Sequence, residues 1–216
     1  MKNVQAKQVR GGGPSLIESG PTGPAELSLE LRSNPLFLSA AREMVAAVTK
    51  RLGFPDEAAG QVALAVDEAL CNVIRHGYNR DPHRPIWIRV FPEGNGWGQG
   101  ACGGGCDGRF PTHMRIVIED EAHQVDPTTI KSRDLAEVRP GGLGVHIIQS
   151  VMDEAKYEKR EGVGMRLTMV KVRREPAGEG GAPSALAADE RGWCGNSTAG
   201  GANTNNPGEG SGAGHG

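Results

Sequence analysis

The rhythm of apolar positions changes along this chain, and each change marks an element. Over residues 25–32, AELSLELR, Leu27, Leu29 and Leu31 alternate with polar neighbours, the period of a half-buried strand. From Leu36 to Leu52 the spacing lengthens. Leu38, Ala41, Met44, Val45, Val48 and Leu52 fall on one side of a helix that Gly53 closes. A second helix opens at Pro55-Asp56-Glu57, with acids where the helix dipole favours them. It leads into Ala63–Tyr78, ALAVDEALCNVIRHGY, the stretch around which the chain is organised. Val62, Val66, Ala69, Leu70, Val73 and Ile74 form its apolar stripe, and Gly77 is its expected left-handed C-cap.

After the turn-rich NRDPHRP, Ile86–Phe91 reads as a strand and His113–Glu119 as the strand returning from it, with Asp120 at its end. Glu121–Arg139 is polar and long for a plain connection. It carries a short helical turn near Thr129–Lys131 and reads as a lid. Pro140-Gly141-Gly142-Leu143-Gly144 then runs into an amphipathic helix, VHIIQSVMDE. Ala155–Arg160 and Val163–Arg173 form a closing hairpin around Glu161-Gly162. The order β-α-α-β-β-lid-α-β-β predicts an α+β two-layer sandwich, with a mixed, mostly antiparallel sheet and helices on one face.

Composition trims this picture to one domain. Most of the 33 glycines fall in residues 11–23, in 94–108 and after 177. Segments so poor in apolar side chains cannot offset the entropy of ordering them. The expected domain is therefore residues 26–174, with residues 1–25 a disordered segment and 175–216 a disordered low-complexity tail. Residues 92–112 read as a hairpin loop expanded by a Gly-rich insertion, since growth at a loop tip costs little. A net charge of -2 and a pI near 6.3 give no basic field for nucleic acid or an anionic membrane. No apolar run approaches the roughly 18 residues of a membrane span. The opening MKNVQAKQVRGGGPS lacks the apolar core of a signal peptide, so the expected location is the cytoplasm. Cys102 and Cys106 flank three glycines near His113, but no fourth metal ligand is evident.

Three places carry candidate chemistry. Glu68 and Asn72 stand four residues apart and share a helix face. The amide oxygen suits Mg²⁺ and the carboxylate suits deprotonation of a hydroxyl, although such pairs also occur on plain solvated faces. Asp120 can accept a hydrogen bond from an exocyclic amine, or simply cap a loop. Gly141, Gly142 and Gly144 expose backbone at a helix N-terminus, where phosphate is favoured, or merely start that helix.

Together these stretches, DEALCNVIRHGY (67–78), IEDEAHQVDP (118–127) and RPGGLGVHIIQSVMDEAKY (139–157), resemble the N, G1 and G2 boxes of the GHKL, or histidine-kinase-like, ATPases. Within that superfamily the chain is most similar to the anti-sigma-factor serine/threonine kinases. The resemblance covers about residues 27–173. It implies Glu68 as catalytic base, Asn72 as ligand of the Mg²⁺ that bridges ATP phosphates, and Asp120 as partner of the adenine amine. Gly141, Gly142, Leu143 and Gly144 would line the phosphates from the lid. It also implies a homodimer that alternates between holding a sigma factor and phosphorylating a STAS-type anti-anti-sigma protein. A nucleotide-gated sequestering module without catalysis is the alternative. Two departures stand out. Ala122 replaces a G1 glycine, from which weaker nucleotide affinity is expected. Gly164-Met165-Arg166 stands where many members carry Gly-Thr, which removes one adenine-side hydrogen bond.

Overall fold

Strand β1 (Leu27–Arg32) leads through a 3₁₀ turn at Pro35–Phe37 into helix α1 (Leu38–Arg51). The turn is capped by the Asn34 side chain, which accepts the Leu36 N–H at 3.0 Å. Helix α2 (Asp56–Asn72) follows and continues without a break as a π-helical turn, Val73–Gly77. Then come β2 (Pro85–Glu93), β3 (His113–Asp120), a 3₁₀ turn at Pro127–Thr129, α3 (Leu143–Val151), β4 (Glu154–Lys159) and β5 (Met165–Val172). The computed structural model describes residues 14–94, 110–130 and 143–174. The Cys102/Cys106 loop, Gly141, Gly142 and the 175–216 tail lie outside the described residues.

The sheet order is β1-β2-β3-β5-β4. Every pairing is antiparallel, so the mixed sheet expected from the element order gives way to a wholly antiparallel one among the described strands. The reason is topological. The lid and α3 carry the chain past β3 to the far edge, where β4 enters, and β5 then returns between the two. Alternation along the strands sends Ile86, Ile88 and Val90 of β2, and Met114, Ile116 and Ile118 of β3, to one face. There they meet Val62, Ala65, Val66, Ala69 and Leu70 of α2, Val45 of α1 and Ile148 of α3 in one core.

The outer face is not bare. Residues 14–25, expected to be disordered, are tied down across it. Glu154, 2 % exposed, accepts the Leu16 N–H at 2.8 Å, the Ile17 N–H at 3.1 Å and the Ser15 hydroxyl at 2.7 Å. Arg115, also 2 % exposed, donates to the carbonyls of Leu16 and Gly20, both at 2.8 Å, and pairs with Glu93 at 3.0 Å. Buried charges demand partners, and here the backbone of residues 15–22 supplies them. Glycine-rich composition alone hides this, because the anchors lie on β2, β3 and β4, far away in sequence.

The end of α2 also differs from expectation. Gly77 is not left-handed. That conformation falls on Asn79 (φ 49°) and Arg80 (φ 65°), since the π turn delays the helix end by two residues. Asn is among the residues that tolerate it. Gly77 is small for another reason: a methyl group there would sit 2.8 Å from the Ala122 methyl. The two positions share the space of one side chain. Gly77→Ala is expected to destabilise the fold by about 1–3 kcal/mol in urea unfolding, and adding Ala122→Gly to recover most of that loss. Costs that simply add in the double variant would contradict this packing.

Candidate functional site

Helix α2 aims Glu68 and Asn72 at the first turn of α3. A methyl group on Gly144 would lie 2.7 Å from Glu68 Oε2, 3.1 Å from Asn72 Nδ2 and 3.4 Å from Asn72 Oδ1. Three residues predicted from two separate motifs thus meet at one point, where the missing side chain of Gly144 leaves room for the two others. Leu143 beside it is 53 % exposed, at the edge of the lid. Asn72 Nδ2 is buried and finds no hydrogen-bond partner among the described residues. Leaving such a group unsatisfied costs about 1–3 kcal/mol. A carboxylate, an amide whose NH₂ lacks a partner among the described residues and the first turn of a helix form a cradle whose donor set fits a Mg²⁺-phosphate group.

The second centre is Asp120, 5 % exposed at the end of β3. Its Oδ1 accepts the Ala122 N–H at 2.8 Å and the Met165 N–H at 3.1 Å. Burial pushes the carboxyl above the usual aspartate range, while those two donors and nearby Arg160 pull it down without cancelling the effect. Both donors fall on one oxygen, Oδ1.

Helix α2 joins the two centres. Gly77 follows Asn72 by five residues, about 7 Å along the axis, and takes the Ala122 methyl. The next residue, Tyr78, accepts the Glu121 N–H on its hydroxyl at 2.6 Å and donates to the Pro85 carbonyl at 2.5 Å. Burial raises the Tyr78 hydroxyl above its usual range, which keeps it a donor. One helix therefore positions Glu68 and Asn72 directly and Asp120 through its C-terminal end. The two departures read differently in space. The Ala122 methyl turns into the helix end. Met165 contributes its backbone N–H to Asp120 and brings no hydroxyl.

Some contributors escaped the motif reading. Tyr78 lies within the N-box stretch but received no role. Gly164, at φ 88°, lets the β4–β5 turn come so near β3 that a methyl group would reach 1.8 Å from the Asp120 carbonyl. The Gly-Val-Gly run at 162–164 was the available signal for that turn.

The comparisons with known proteins bear on this arrangement. The model of the histidine kinase-like ATPase domain matches residues 31–171. The chain belongs to the histidine kinase-like ATPase family. Among its relatives, the serine-protein kinase RsbW of Oceanobacillus iheyensis is 26 % identical over 145 residues, covering 63 % of this chain and 81 % of the relative. RsbW of Bacillus subtilis is 22 % identical over 151 residues, covering 66 % and 83 %. Among solved structures, the SiaB–SiaC complex of Pseudomonas aeruginosa matches at a TM-score of 0.47 and 13 % identity, over 68 % of this chain and 89 % of that one. The RsbU and RsbW domains of Rv1364c from Mycobacterium tuberculosis match at 0.43 and 14 %, over 70 % and 34 %.

In this family member, Gly144→Ala separates folding from the site. The new methyl meets the flexible end of Glu68 rather than backbone, so the side chain can swing away. Unfolding free energy is expected to stay within about 1 kcal/mol, because alanine also favours the helix, while nucleotide-dependent activity falls at least about tenfold. Full activity in Gly144→Ala would show that the close approach is not needed.

Proposed function

We propose that this chain is a cytoplasmic, ATP- and Mg²⁺-dependent serine/threonine protein kinase that works by partner switching. One state sequesters a sigma factor. In the other, the kinase binds and phosphorylates a STAS-type anti-anti-sigma protein. The expected assembly is a homodimer. The observation that carries the reading is the meeting of Glu68, Asn72 and Gly144 at one point, with the Asn72 Nδ2 buried and without a hydrogen-bond partner among the described residues. The serine-protein kinase names of relatives at 22–26 % identity support the choice of reaction.

In this reading Asn72 holds the metal through its amide oxygen, and Mg²⁺ supplies charge neutralisation of the ATP phosphates when bound. Backbone N–H groups over 141–144 take phosphate oxygens at the start of α3. Asp120 accepts from the adenine amine through Oδ2, with its other oxygen held by Ala122 and Met165. Glu68 accepts the proton of a substrate serine or threonine hydroxyl as that oxygen forms its bond to the γ-phosphorus and ADP departs. Most of the required work is positioning, since phosphoryl transfer asks little covalent chemistry of the protein.

Incubation of the full chain with Mg²⁺, γ-labelled ATP and small STAS-domain proteins tests the proposal. Labelling of one serine or threonine on a partner is expected. Glu68→Gln is expected to keep ATP binding within about twofold and to lower transfer by at least about a hundredfold. Equal transfer by the Glu68 variant would remove it from catalysis. ATP binding with no transfer to any such partner would leave a nucleotide-gated sequestering module in place of the kinase.

A further inference from the structure

The loop after Asp120 carries Ala122 at the G1 glycine position and reads Glu121-Ala122-His123-Gln124. Its fourth residue reaches across to another part of the chain. The Gln124 side-chain amide donates to the Arg160 carbonyl at 2.7 Å and the Gly162 carbonyl at 3.3 Å. Both carbonyls belong to the turn between β4 and β5, which the Arg160 N–H closes on the Gly164 carbonyl at 3.1 Å. That turn answers in the other direction. The Arg160 guanidinium donates to the Asp120 carbonyl at 2.6 Å, and the Met165 N–H donates to Asp120 Oδ1 at 3.1 Å. The Ala122 N–H reaches the same Oδ1 at 2.8 Å from the loop side. Two segments about forty residues apart thus form a closed circuit of hydrogen bonds, with the Asp120 carboxylate inside it.

The circuit has a chemical consequence. Each of the two donors on Asp120 Oδ1 comes from one of the two segments, so both stay in place only while the segments stay together. Burial works against the charged form of this carboxylate, and those donors support it. With Oδ1 committed, Oδ2 is a fixed acceptor. A fixed carboxylate acceptor welcomes a 6-amino purine and opposes a 6-oxo purine, which presents a second acceptor to it. Sites built around a hydrogen bond discriminate strongly because a mismatch leaves buried polar groups unpaired.

We infer that Gln124 is a positioning residue for nucleobase selection, clasping the 160–164 turn to the loop after Asp120 so that Asp120 presents a fixed acceptor to the base. This rests on the reading of Asp120 as the base partner. Gln124 touches no nucleotide in this role; it acts through Asp120.

Calorimetric titration of Mg·ATP, Mg·ITP and Mg·tripolyphosphate into the full chain, as wild type, Gln124→Ala and Gln124→Glu, tests the inference. The wild type is expected to prefer ATP over ITP by at least about tenfold. In Gln124→Ala that preference shrinks to less than about threefold, through weaker ATP binding, while tripolyphosphate, which has no base, binds as before. Gln124→Glu keeps the size of the side chain but sets a carboxylate against two carbonyls, and should lose the preference at least as fully. An unchanged ATP-to-ITP ratio in either folded variant overturns the clasp while leaving the site itself intact. Equal loss of tripolyphosphate and ATP affinity in both variants would mark a general structural role and overturns it as well. A wild type that binds tripolyphosphate but shows no preference for ATP overturns the reading of Asp120, and the inference with it.

Discussion

The site depends on one close approach, that of Gly144 to α2. Any side chain at this position would compete with Glu68 Oε2 and the Asn72 amide for the same space. Its absence lets the first turn of α3 lie directly on the face of α2 that carries both groups. Everything else about the site follows from keeping α2 and α3 in that relation. The apolar stripe of α2 is buried against β2 and β3, and Ile148 of α3 joins the same core. At the other end of α3, the buried Lys171 amine of β5 donates to the Val151 carbonyl at 2.5 Å and to Gln61 of α2 at 2.6 Å. The two helices are therefore tied by polar bonds at one end and meet by bare backbone at the other, where a ligand would enter.

The base end is governed by a different exchange of volume. Ala122 brings a methyl group, and Gly77, which has none, leaves room for it. The Asp120 loop consequently rests on the extension of α2 through van der Waals contact, with Tyr78 adding hydrogen bonds to Glu121 and Pro85. The structure places the Ala122 methyl against the end of the helix, 2.8 Å from where a methyl group on Gly77 would sit.

Much of this was legible in the chain because it is written locally. The period-two leucines of β1, the helical stripe of α2 and the Gly-Leu-Gly entry to α3 each announce themselves within a short window, and the Glu68–Asn72 pair follows from helix geometry alone. What escaped depends on partners far away. Residues 14–25 look too glycine-rich to order, yet Glu154, Arg115 and Glu93 hold the backbone of residues 15–22 with buried charge. Gly77 looks like a C-cap until Ala122, 45 residues later in the sequence, is seen against it. Gln124 looks like a polar loop residue until the β4–β5 turn is brought to it. The antiparallel character of the whole sheet likewise depends on which edge β4 joins, and no local pattern encodes that.

In the proposed function, α2 offers the Asn72 amide to a metal-bound nucleotide. The most direct measurement is the gain in ATP affinity on adding Mg²⁺, determined by titration for the wild-type chain and for Asn72→Ala. A gain of at least about tenfold is expected in the wild type and almost none in the variant, whose metal-free affinity stays near normal. A variant that keeps the full Mg²⁺ gain would show that the metal is held elsewhere, and that the buried Asn72 Nδ2 serves something other than the nucleotide.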